Sequence, residues 1–323
     1  MSFKQALCLI SGLITAQLAY AQPVTLADPT VWLEGDKYYM LGTEAPPQQG
    51  FPVFESDNLK SWKSVSGAKP GYALFKGEQT FGERGFWAPQ VFKHNHQYFL
   101  AYTANERIAI AQSNSAKGPF TRPQLGAFEP DKRQIDPFVF FDDDGKVYLF
   151  HVRLNKGNHI YVAEMKSDLS SIKANTLTHC LSPQKKTWEM SGVFKNRIPT
   201  VAEGPTVIKH KDNYYLLYSA NHFMADEYAV GYATAKSPMG PWTRYQGNPI
   251  LSQANIGLDG TGHGDVFTGK DNKIYYVFHA HANENQVHPR KTMIVELEFV
   301  AADDGIDQLR VKPSSLIQTE IAN

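Results

Sequence analysis

Cysteine is scarce in this sequence, whose 323 residues contain two, Cys8 and Cys180. Cys8 lies in an N-terminal segment that we expect to be removed, which leaves the mature chain one thiol and no internal disulfide. A chain of about 300 residues buries enough surface to fold without disulfides. The scarcity therefore excludes a disulfide scaffold and predicts a domain that is stabilised by its own core.

A net charge is also lacking, because 32 Lys and Arg residues balance 32 Asp and Glu residues. A protein without an excess of one sign has no long-range field that gathers nucleic acid or an anionic membrane surface. The balance argues against both kinds of partner. We expect the mature chain to be a monomer that does not insert into a membrane.

Long hydrophobic runs are lacking as well, apart from the stretch from Ala6 to Tyr20. This stretch follows a positively charged start, is too short to span a bilayer comfortably, and leads into Ala19-Tyr20-Ala21, a small-x-small cleavage pattern. It predicts a signal peptide over residues 1–21, a mature domain over residues 22–323, and export to the periplasm or the medium. The alternative interpretation is a membrane anchor.

Several catalytic motifs are missing. The absence of a His-Glu-x-x-His pair and of a Gly-x-Ser-x-Gly sequence removes the commonest zinc-peptidase and serine-esterase interpretations. The glycine-rich stretch from Gly260 to Gly264 is followed by a predicted strand instead of a helix, so it does not predict a nucleotide-binding loop. The acidic stretch from Asp142 to Gly145 joins two predicted strands, and we interpret it as a turn.

Aromatic residues are abundant at 12% of the chain, beside 24 Gly and 19 Pro. This composition favours short strands joined by tight turns. One pattern occurs five times: a small polar opening, an apolar strand, a turn, and a second strand rich in Tyr and Phe. The copies begin at Asp28, Ala88, Asp136, Gly204 and Gly264, at spacings of 60, 48, 68 and 60 residues.

Each copy predicts a β-hairpin, and four of the copies are followed by a second pair of strand-like stretches. The repeats therefore predict an all-β, five-bladed β-propeller with four antiparallel strands per blade. The last unit supplies two further strands of its own between Thr292 and Val311. We therefore expect the ring to be closed by packing between blades 1 and 5, with no shared closing strand. An antiparallel sandwich of the same strands is the alternative.

The openings of the repeats are the candidate site, because the innermost strand of each propeller blade lines the central channel. Three openings carry a carboxylate, namely Asp28, Asp136 and Glu203. An Asp-Pro pair by itself is an ordinary turn dipeptide. Carboxylates gathered round one axis, however, raise one another's pKa. Two carboxyl groups of unequal pKa are what the hydrolysis of a glycosidic bond requires.

In this order the openings resemble those of glycoside hydrolase family 43, the five-bladed propellers of clan F that act on arabinose- and xylose-containing polysaccharides. The resemblance covers essentially the whole mature chain. It rests on five motifs: Asp28-Pro29-Thr30, Trp87-Ala88-Pro89, Ile135-Asp136-Pro137, Ala202-Glu203-Gly204-Pro205 and Gly262-His263-Gly264.

The resemblance implies a role for each carboxylate. Asp28 would be the general base that activates water, and Glu203 the general acid that protonates the leaving oxygen. Asp136 would orient Glu203 and raise its pKa. The implied mechanism is a single displacement with inversion, for which the carboxyls of Asp28 and Glu203 should lie about 6.5 to 9.5 Å apart.

Five further residues are predicted to bind the sugar. Trp87 is either a core residue or a flat wall on which the C–H faces of a sugar stack. Arg290 resembles the family's sugar-contacting arginine, and its alternative is a surface salt bridge. Phe223, Asn221 and His151 follow the second strands of blades 4 and 3 and are predicted to line the pocket.

His263 lies at the opening of blade 5. In many enzymes similar to this one the equivalent histidine contacts a Ca²⁺ ion or its waters, and calcium accepts oxygen ligands and retains water readily. We therefore predict a structural calcium ion near His263, and no cofactor that the chemistry requires. The alternative is a hydrogen-bonded structural histidine.

The leading hypothesis is an exo-acting, inverting glycoside hydrolase that releases a terminal pentose, in the first place α-L-arabinofuranose, from a plant-type polysaccharide or oligosaccharide. Such a neutral substrate suits the balanced charge of the chain. The extra C-terminal sandwich of the family's long β-xylosidases does not follow the repeats, which favours an arabinofuranosidase. The alternatives are a β-D-xylosidase, an endo-arabinanase and a non-catalytic sugar-binding propeller. A retaining fructosidase would have Asn and Arg where this chain has Ala27 and Ile135.

Overall fold

The computed structural model describes residues 21–121, 126–303 and 305–322. Apart from Ala21, the predicted signal peptide lies outside these residues. Within them nearly every element is a β-strand, and the helical elements are a short α-helix, α1 (Gln253–Ile256), and a 3₁₀ turn (Trp188–Met190). Neither is long and apolar enough to cross a membrane, and the same holds for any helix in the described ranges.

The strands follow the five predicted repeats. Blade 1 and the ribbon beside it contain β1 (Ala27–Glu34), β2 (Lys37–Thr43), β3 (Gly50–Pro52), β4 (Phe54–Ser56), β5 (Ser61–Ser64) and β6 (Tyr72–Phe75). Blade 2 contains β7 (Trp87–His94), β8 (Gln97–Ala104) and β9 (Arg107–Ser113). Blade 3 contains β10 (Gln134–Phe141), β11 (Val147–Leu154), β12 (Asn158–Glu164) and β13 (Thr178–Leu181). Blade 4 contains β14 (Ala202–His210), β15 (Asn213–Ala220), β16 (Ala229–Ala235) and β17 (Thr243–Arg244). Blade 5 contains β18 (Gly262–Thr268), β19 (Ile274–Ala280), β20 (Lys291–Val300) and β21 (Gln308–Gln318), and β22 (Glu320–Ile321) follows it.

The blades are antiparallel sheets. Blades 3, 4 and 5 have four strands each in chain order, and blade 1 has the order β1-β2-β4-β5, while β3 and β6 pair separately. Among the described residues blade 2 has three strands, where the sequence predicts four, and an isolated bridge joins Gln112 of the third strand to Thr121. The predicted five-bladed propeller is confirmed.

The inner strands β1, β7, β10, β14 and β18 form a closed ring in which each strand contacts the inner strands of both neighbouring blades. The apolar core is divided in the same way into five clusters, one between each pair of neighbouring blades. Phe150 of blade 3 and Tyr218 of blade 4, for example, lie in one cluster. Many of the aromatic rings therefore pack one blade against the next.

The closure of the ring corrects one prediction. Blades 5 and 1 do share an apolar cluster, but β22 also adds to the outer edge of blade 1 as a fifth strand. It pairs in parallel with β5, so that Glu320 and Ile321 lie opposite Ser61 and Trp62. We expected no shared strand because the fifth repeat supplies its own strands. The short segment beyond them carries no repeat pattern that would have indicated this pairing.

Each inner strand is interrupted by a β-bulge at the same place. The residue in the bulge has a left-handed backbone in every blade: Asp28 (φ 47°), Ala88 (46°), Asp136 (54°), Gly204 (59°) and His263 (44°). A bulge bends the strand and re-aims its side chain. All five of these residues line one small cavity on the axis, so the bulges gather the repeat openings at one point.

Candidate active site

The three predicted carboxylates meet in a pocket of about 600 Å³ at the centre of the ring. Asp28, Asp136 and Glu203 all line this pocket, together with His263 of blade 5. The volume is within the range of ligand-binding clefts, about 300 to 1,000 Å³. These four side chains come from four different blades and meet in a single site.

Asp28 is buried and has a partner on each carboxylate oxygen. Thr43 Oγ1 donates to its Oδ2 at 2.7 Å, and Arg290 Nη1 donates to its Oδ1 at 3.3 Å. Burial alone would raise the pKa of Asp28, but the charges of His263 and Arg290 and the contact with His279 outweigh burial and hold that pKa below its ordinary value. Asp28 is therefore an ionised carboxylate at neutral pH.

Glu203 is equally buried but has neutral partners. Asn158 Nδ2 donates to Oε2 at 2.6 Å, and the Tyr228 hydroxyl donates to Oε1 at 2.8 Å. Burial raises the pKa of Glu203, and although His263 and the two hydrogen bonds oppose this effect, the shift remains upward. The two carboxyls that the sequence singled out as base and acid therefore have pKa values shifted in opposite directions.

Asp136 lies close enough to Glu203 for the two to titrate as a pair. Burial is the main cause that raises the pKa of Asp136 to about 7, with the negative charges of Glu203 and Asp28 adding to it against the charge of His263. The pair therefore retains a proton near neutral pH while Asp28 does not.

His263 supplies the positive charge among these carboxylates. Its Nδ1 is 3.5 Å from Asp28 Oδ1 and 4.0 Å from Asp136 Oδ2. Burial lowers the pKa of His263, but Asp28, Asp136 and Glu203 together outweigh burial and raise it. An imidazolium at this place offsets part of the negative charge that would otherwise oppose the gathering of the carboxylates.

The calcium ion predicted beside His263 would need about six to eight oxygen ligands. The two oxygens that approach its ring belong to Asp28 and Asp136, which also bind protein donors. In the part of the chain that the structure describes, no three His, Cys, Asp or Glu side chains are grouped so that they could hold a metal ion. These side chains do not fit a cage for calcium, and the ion stays a prediction.

A second set of side chains, which the sequence analysis missed, holds the bulges in place. At four bulges the backbone N–H donates to a side chain at the last or next-to-last position of the second strand of the preceding blade. The pairs are Ala88 N with Thr43 Oγ1 (3.0 Å), Asp136 N with Thr103 Oγ1 (3.0 Å), His263 N with Ser219 Oγ (2.7 Å) and Asp28 N with His279 Nδ1 (3.2 Å). The sequence does contain a sign of this role, because each of these repeat copies ends in a polar residue.

The fifth bulge, in blade 4, is held differently. The equivalent position at the end of blade 3's second strand is Val152, which pairs with Ile135 and has no polar side-chain atom. The N–H of Gly204 donates instead to Asp136 Oδ2 at 3.2 Å. Asp136 therefore fixes the backbone immediately after Glu203.

The same register shows that the prediction for His151 was wrong. The turn of blade 3 runs from Asp142 to Lys146, whereas the turn of blade 1 has two residues. Because of the longer turn, Val152 occupies the position at which the other repeat copies have a polar residue. A shift of one residue turns a strand side chain to the opposite face. His151 is fully buried away from the pocket, and burial and the charge of Arg153 lower its pKa to about 3.

Blade 5 shows the same one-residue effect. Because its turn is longer, His263 lies at the bulge. Gly264, the first residue of the repeat copy, takes the place that proline occupies in the other blades. His263 is thus the structural equivalent of Asp28 and Asp136.

Three of the five predicted sugar-binding residues line the pocket, namely Trp87, Phe223 and Arg290. Asn221 does not, because its amide is buried and occupied: Oδ1 accepts from the N–H groups of Ser191 and Gly192 at 3.1 and 2.9 Å. Asn221 therefore holds the backbone of the neighbouring segment in place.

Tyr228 and Asn158, which hold Glu203, were also missed. Both lie outside the five repeat copies, one before β16 and the other at the start of β12. No local pattern marks them, since only the tertiary fold places them beside blade 4's inner strand.

Comparison with known proteins agrees with this geometry. A family model described as Glycosyl hydrolases family 43 matches residues 20–305. A solved structure described as an endo-1,4-β-xylanase from Bacteroides thetaiotaomicron VPI-5482 is 38% identical with a TM-score of 0.84, and the match covers 94% of this chain and 99% of that chain.

Two curated relatives differ in length from each other. A xylosidase/arabinosidase from Butyrivibrio fibrisolvens is 28% identical over 266 residues, which are 77% of this chain and 48% of that relative, so the chain spans about half its length. An extracellular exo-α-(1→5)-L-arabinofuranosidase from Cellvibrio japonicus (strain Ueda107) is 23% identical over 315 residues, and the match covers 87% of each chain.

Proposed function

This chain belongs to glycosyl hydrolase family 43, and from that membership we propose that it is an exo-acting, inverting glycoside hydrolase that releases a terminal pentose. The observation that carries the proposal is the opposite direction of two pKa shifts in one pocket, downward for Asp28 and upward for Glu203. An ionised base and a protonated acid are then present at the same pH, as glycoside hydrolysis requires.

In the proposed reaction, Asp28 removes a proton from a water molecule while the water oxygen bonds to the anomeric carbon. Glu203 donates its proton to the glycosidic oxygen as the bond between that oxygen and the anomeric carbon breaks. Thr43 and Arg290 orient the Asp28 carboxylate. Asp136 accepts from the Gly204 N–H, and its negative charge disfavours loss of the proton from Glu203. The sugar product has the opposite anomeric configuration because water attacks from the face opposite the leaving group.

The sugar that we propose is α-L-arabinofuranose, bound between Trp87 and Phe223 at the pocket wall. The Cellvibrio japonicus relative, whose length is similar, is named an exo-arabinofuranosidase. A second candidate is β-D-xylose, which the names of the Bacteroides thetaiotaomicron and Butyrivibrio fibrisolvens proteins favour. We also propose export of the mature chain, as the Cellvibrio japonicus protein is named extracellular.

Isosteric variants of the two carboxyls test this proposal. Asp28→Asn and Glu203→Gln should each lower kcat about 10²- to 10⁴-fold, since each removes one proton transfer. The Glu203→Gln loss should be larger on an arabinose- or xylose-containing disaccharide than on a nitrophenyl pentoside, because nitrophenolate leaves with little protonation.

Asp212→Asn, in an exposed turn of blade 4, is the matched control and should retain full activity. Full activity of either pocket variant would contradict the assigned roles. NMR of the product early in turnover should show inverted anomeric configuration, and retention would overturn the single-displacement mechanism.

A further inference from the structure

Exposed apolar side chains are concentrated beside the pocket. Among the described residues, the large hydrophobic side chains that are most exposed are Leu177 (38%), Val193 (60%), Ile198 (56%) and Met224 (37%). Three of these four lie on two loops that contact each other next to blade 4's inner strand. Single exposed hydrophobic residues are ordinary, whereas a group of them marks a binding surface. We call Val193, Phe194, Ile198 and Met224 the shelf.

The shelf is built on a rigid hairpin. Phe194 and Arg197 exchange two backbone hydrogen bonds of 2.9 and 3.0 Å. Lys195 and Asn196 between them have φ values of 50° and 60°, the pattern of a two-residue type I′ turn. Val193 and Ile198 flank this pair, one on each arm of the hairpin.

Both ends of the hairpin are tied to residues near the candidate site. On one side the N–H groups of Ser191 and Gly192 donate to Asn221. On the other side the N–H of Asn158 donates to the Thr200 carbonyl at 2.9 Å. Asn158 is also the residue whose side-chain amide donates to Glu203. The shelf therefore has a fixed position relative to the proposed acid.

A row of flat groups joins the shelf to the pocket. The Phe194 ring stacks on His222 with centroids 4.0 Å apart, and His222 stacks on Phe223 at 4.7 Å. The Arg290 guanidinium lies 4.6 Å from the centre of the Phe223 ring, and the same guanidinium donates to Asp28. His222 and Phe223 line the pocket. The wall is thus continuous from the proposed base out to the exposed loop.

We propose that the shelf binds the third and later sugar residues of a bound oligosaccharide, counted from the terminal residue in the pocket, on its leaving-group side. The proposal rests on the proposed function, because in an exo-acting enzyme every sugar beyond the pocket lies on that side. Flat rings and aliphatic side chains fit the C–H faces of sugars. Because the row of rings continues the pocket wall, we expect the bound oligosaccharide to follow it onto the shelf.

The test compares two shelf variants with one control. Phe194→Ala removes the outermost ring, and the double variant Val193→Ser/Ile198→Ser removes the apolar flanks while leaving the stacked rings in place. Leu177→Ser, which alters an exposed apolar residue between β12 and β13 away from the pocket, is the control. All proteins are assayed on arabinose and xylose disaccharides and on longer oligosaccharides of each series.

For the longer oligosaccharides, the shelf variants should raise KM about three- to tenfold, the size of a lost stacking or apolar contact. Their kcat and their kinetics on the disaccharide should stay as in the wild type, and Leu177→Ser should change nothing. Equal KM values for wild type and both shelf variants on the longer substrates would overturn the proposal.

Failure of the proposed function gives a different result. If the wild type hydrolyses neither series, calorimetric titration with the same oligosaccharides still measures binding. Weaker binding by the shelf variants alone would then support the shelf, and no binding by the wild type, or equal binding by all the proteins, would overturn it.

Discussion

At the scale of single residues, the site depends on a balance of buried charges. Three buried carboxylates meet in the pocket, and His263 and Arg290 contact Asp28, the one that is ionised. Desolvation acts on all three carboxyls in the same upward direction, so the difference between them comes from the partners of each. Asp28 has cationic partners, whereas Glu203 has an amide and a phenol. The side chains that contact each carboxyl therefore decide whether it is ionised, like a base, or protonated, like an acid.

This balance predicts a pH dependence. The rate should fall on the acid side only below the ordinary pKa of a carboxyl, because the pKa of Asp28 is lowered. It should fall on the basic side near pH 7, where the pair of Asp136 and Glu203 loses its proton and the pKa of Asp136 is raised to about 7. Asp136→Asn keeps an acceptor for the Gly204 N–H but removes a negative charge. The proton then leaves Glu203 more easily, so the basic limb should move to lower pH.

The pH profile of kcat/KM on a nitrophenyl pentoside, recorded for wild type and Asp136→Asn, measures this shift. An unchanged basic limb in the variant would show that the charge of Asp136 does not raise the pKa of the acid.

At the scale of the element, the repeated bulge builds the site. Each inner strand has one residue in the left-handed region, which costs an L-residue about 1 to 2 kcal/mol. Gly204 is the one glycine among the five. It also has no room for a side chain, since a Cβ would meet His263 Cδ2 at 2.8 Å. The backbone of the blade 4 bulge therefore favours glycine, as it would in any blade, and the neighbouring histidine leaves no room for another residue.

Substitution of this glycine separates the two requirements. Gly204→Ala should lower the free energy of unfolding by about 1 to 3 kcal/mol more than Gly35→Ala, because it adds overpacking to the same backbone strain. Gly35 has a similar φ of 61° and nothing within 4 Å of a Cβ. Gly204→Ala should also lower kcat, since His263 and Glu203 must move, while Gly35→Ala should not.

Urea unfolding and steady-state kinetics of both variants check this prediction. Equal destabilisation by the two substitutions would mean that the pocket absorbs the added methyl group without cost.

At the scale of the whole molecule, the ring is closed by several kinds of contact. Asp265 accepts from Thr30 and Thr206 at 2.7 and 2.9 Å, which ties blade 5 to blades 1 and 4 beside the axis. At the outer edge, β22 continues the sheet of blade 1. Thr319 accepts from the N–H of Val24 at 3.0 Å just before β22. Both termini of the described chain thus meet at the junction of blades 1 and 5.

Deletion of residues 319–323 tests this closure. The loss of several backbone hydrogen bonds at about 0.5 to 1.5 kcal/mol each should lower the free energy of unfolding by about 2 to 4 kcal/mol and lower Tm. Activity below the transition should persist, because the pocket lies at the axis and not at this edge. Glu320→Ala, which removes an ion pair of 3.9 Å but keeps the backbone pairing, is the control.

Thermal unfolding of the deletion variant, the control and the wild type gives the comparison. A Tm equal to that of the wild type would show that packing alone closes the ring, as the sequence predicted.

Much of the fold and the centre of the site could be predicted because the repeats are local. Asp28 and Asp136 stand at the same place in their copies and Glu203 one residue earlier in its own, and the propeller brings these openings together. The position of His151 could not be predicted in this way. The hairpin of blade 3 is longer by one residue between its bulge and the end of its second strand, which is invisible in copies of equal length, yet such a shift reverses the face of the side chains that follow.

The number of blades, the strand order within each hairpin and the three carboxylates at the axis could be predicted from the sequence, because these depend on pattern and spacing along the chain. Which partners those carboxylates have became visible only in the tertiary structure. Tyr228, Asn158 and His279 reach the site from separate segments and neighbouring blades, and β22 reaches blade 1 across the ring. Contacts between distant segments depend on how strands twist and pack, and no periodicity in the chain records them.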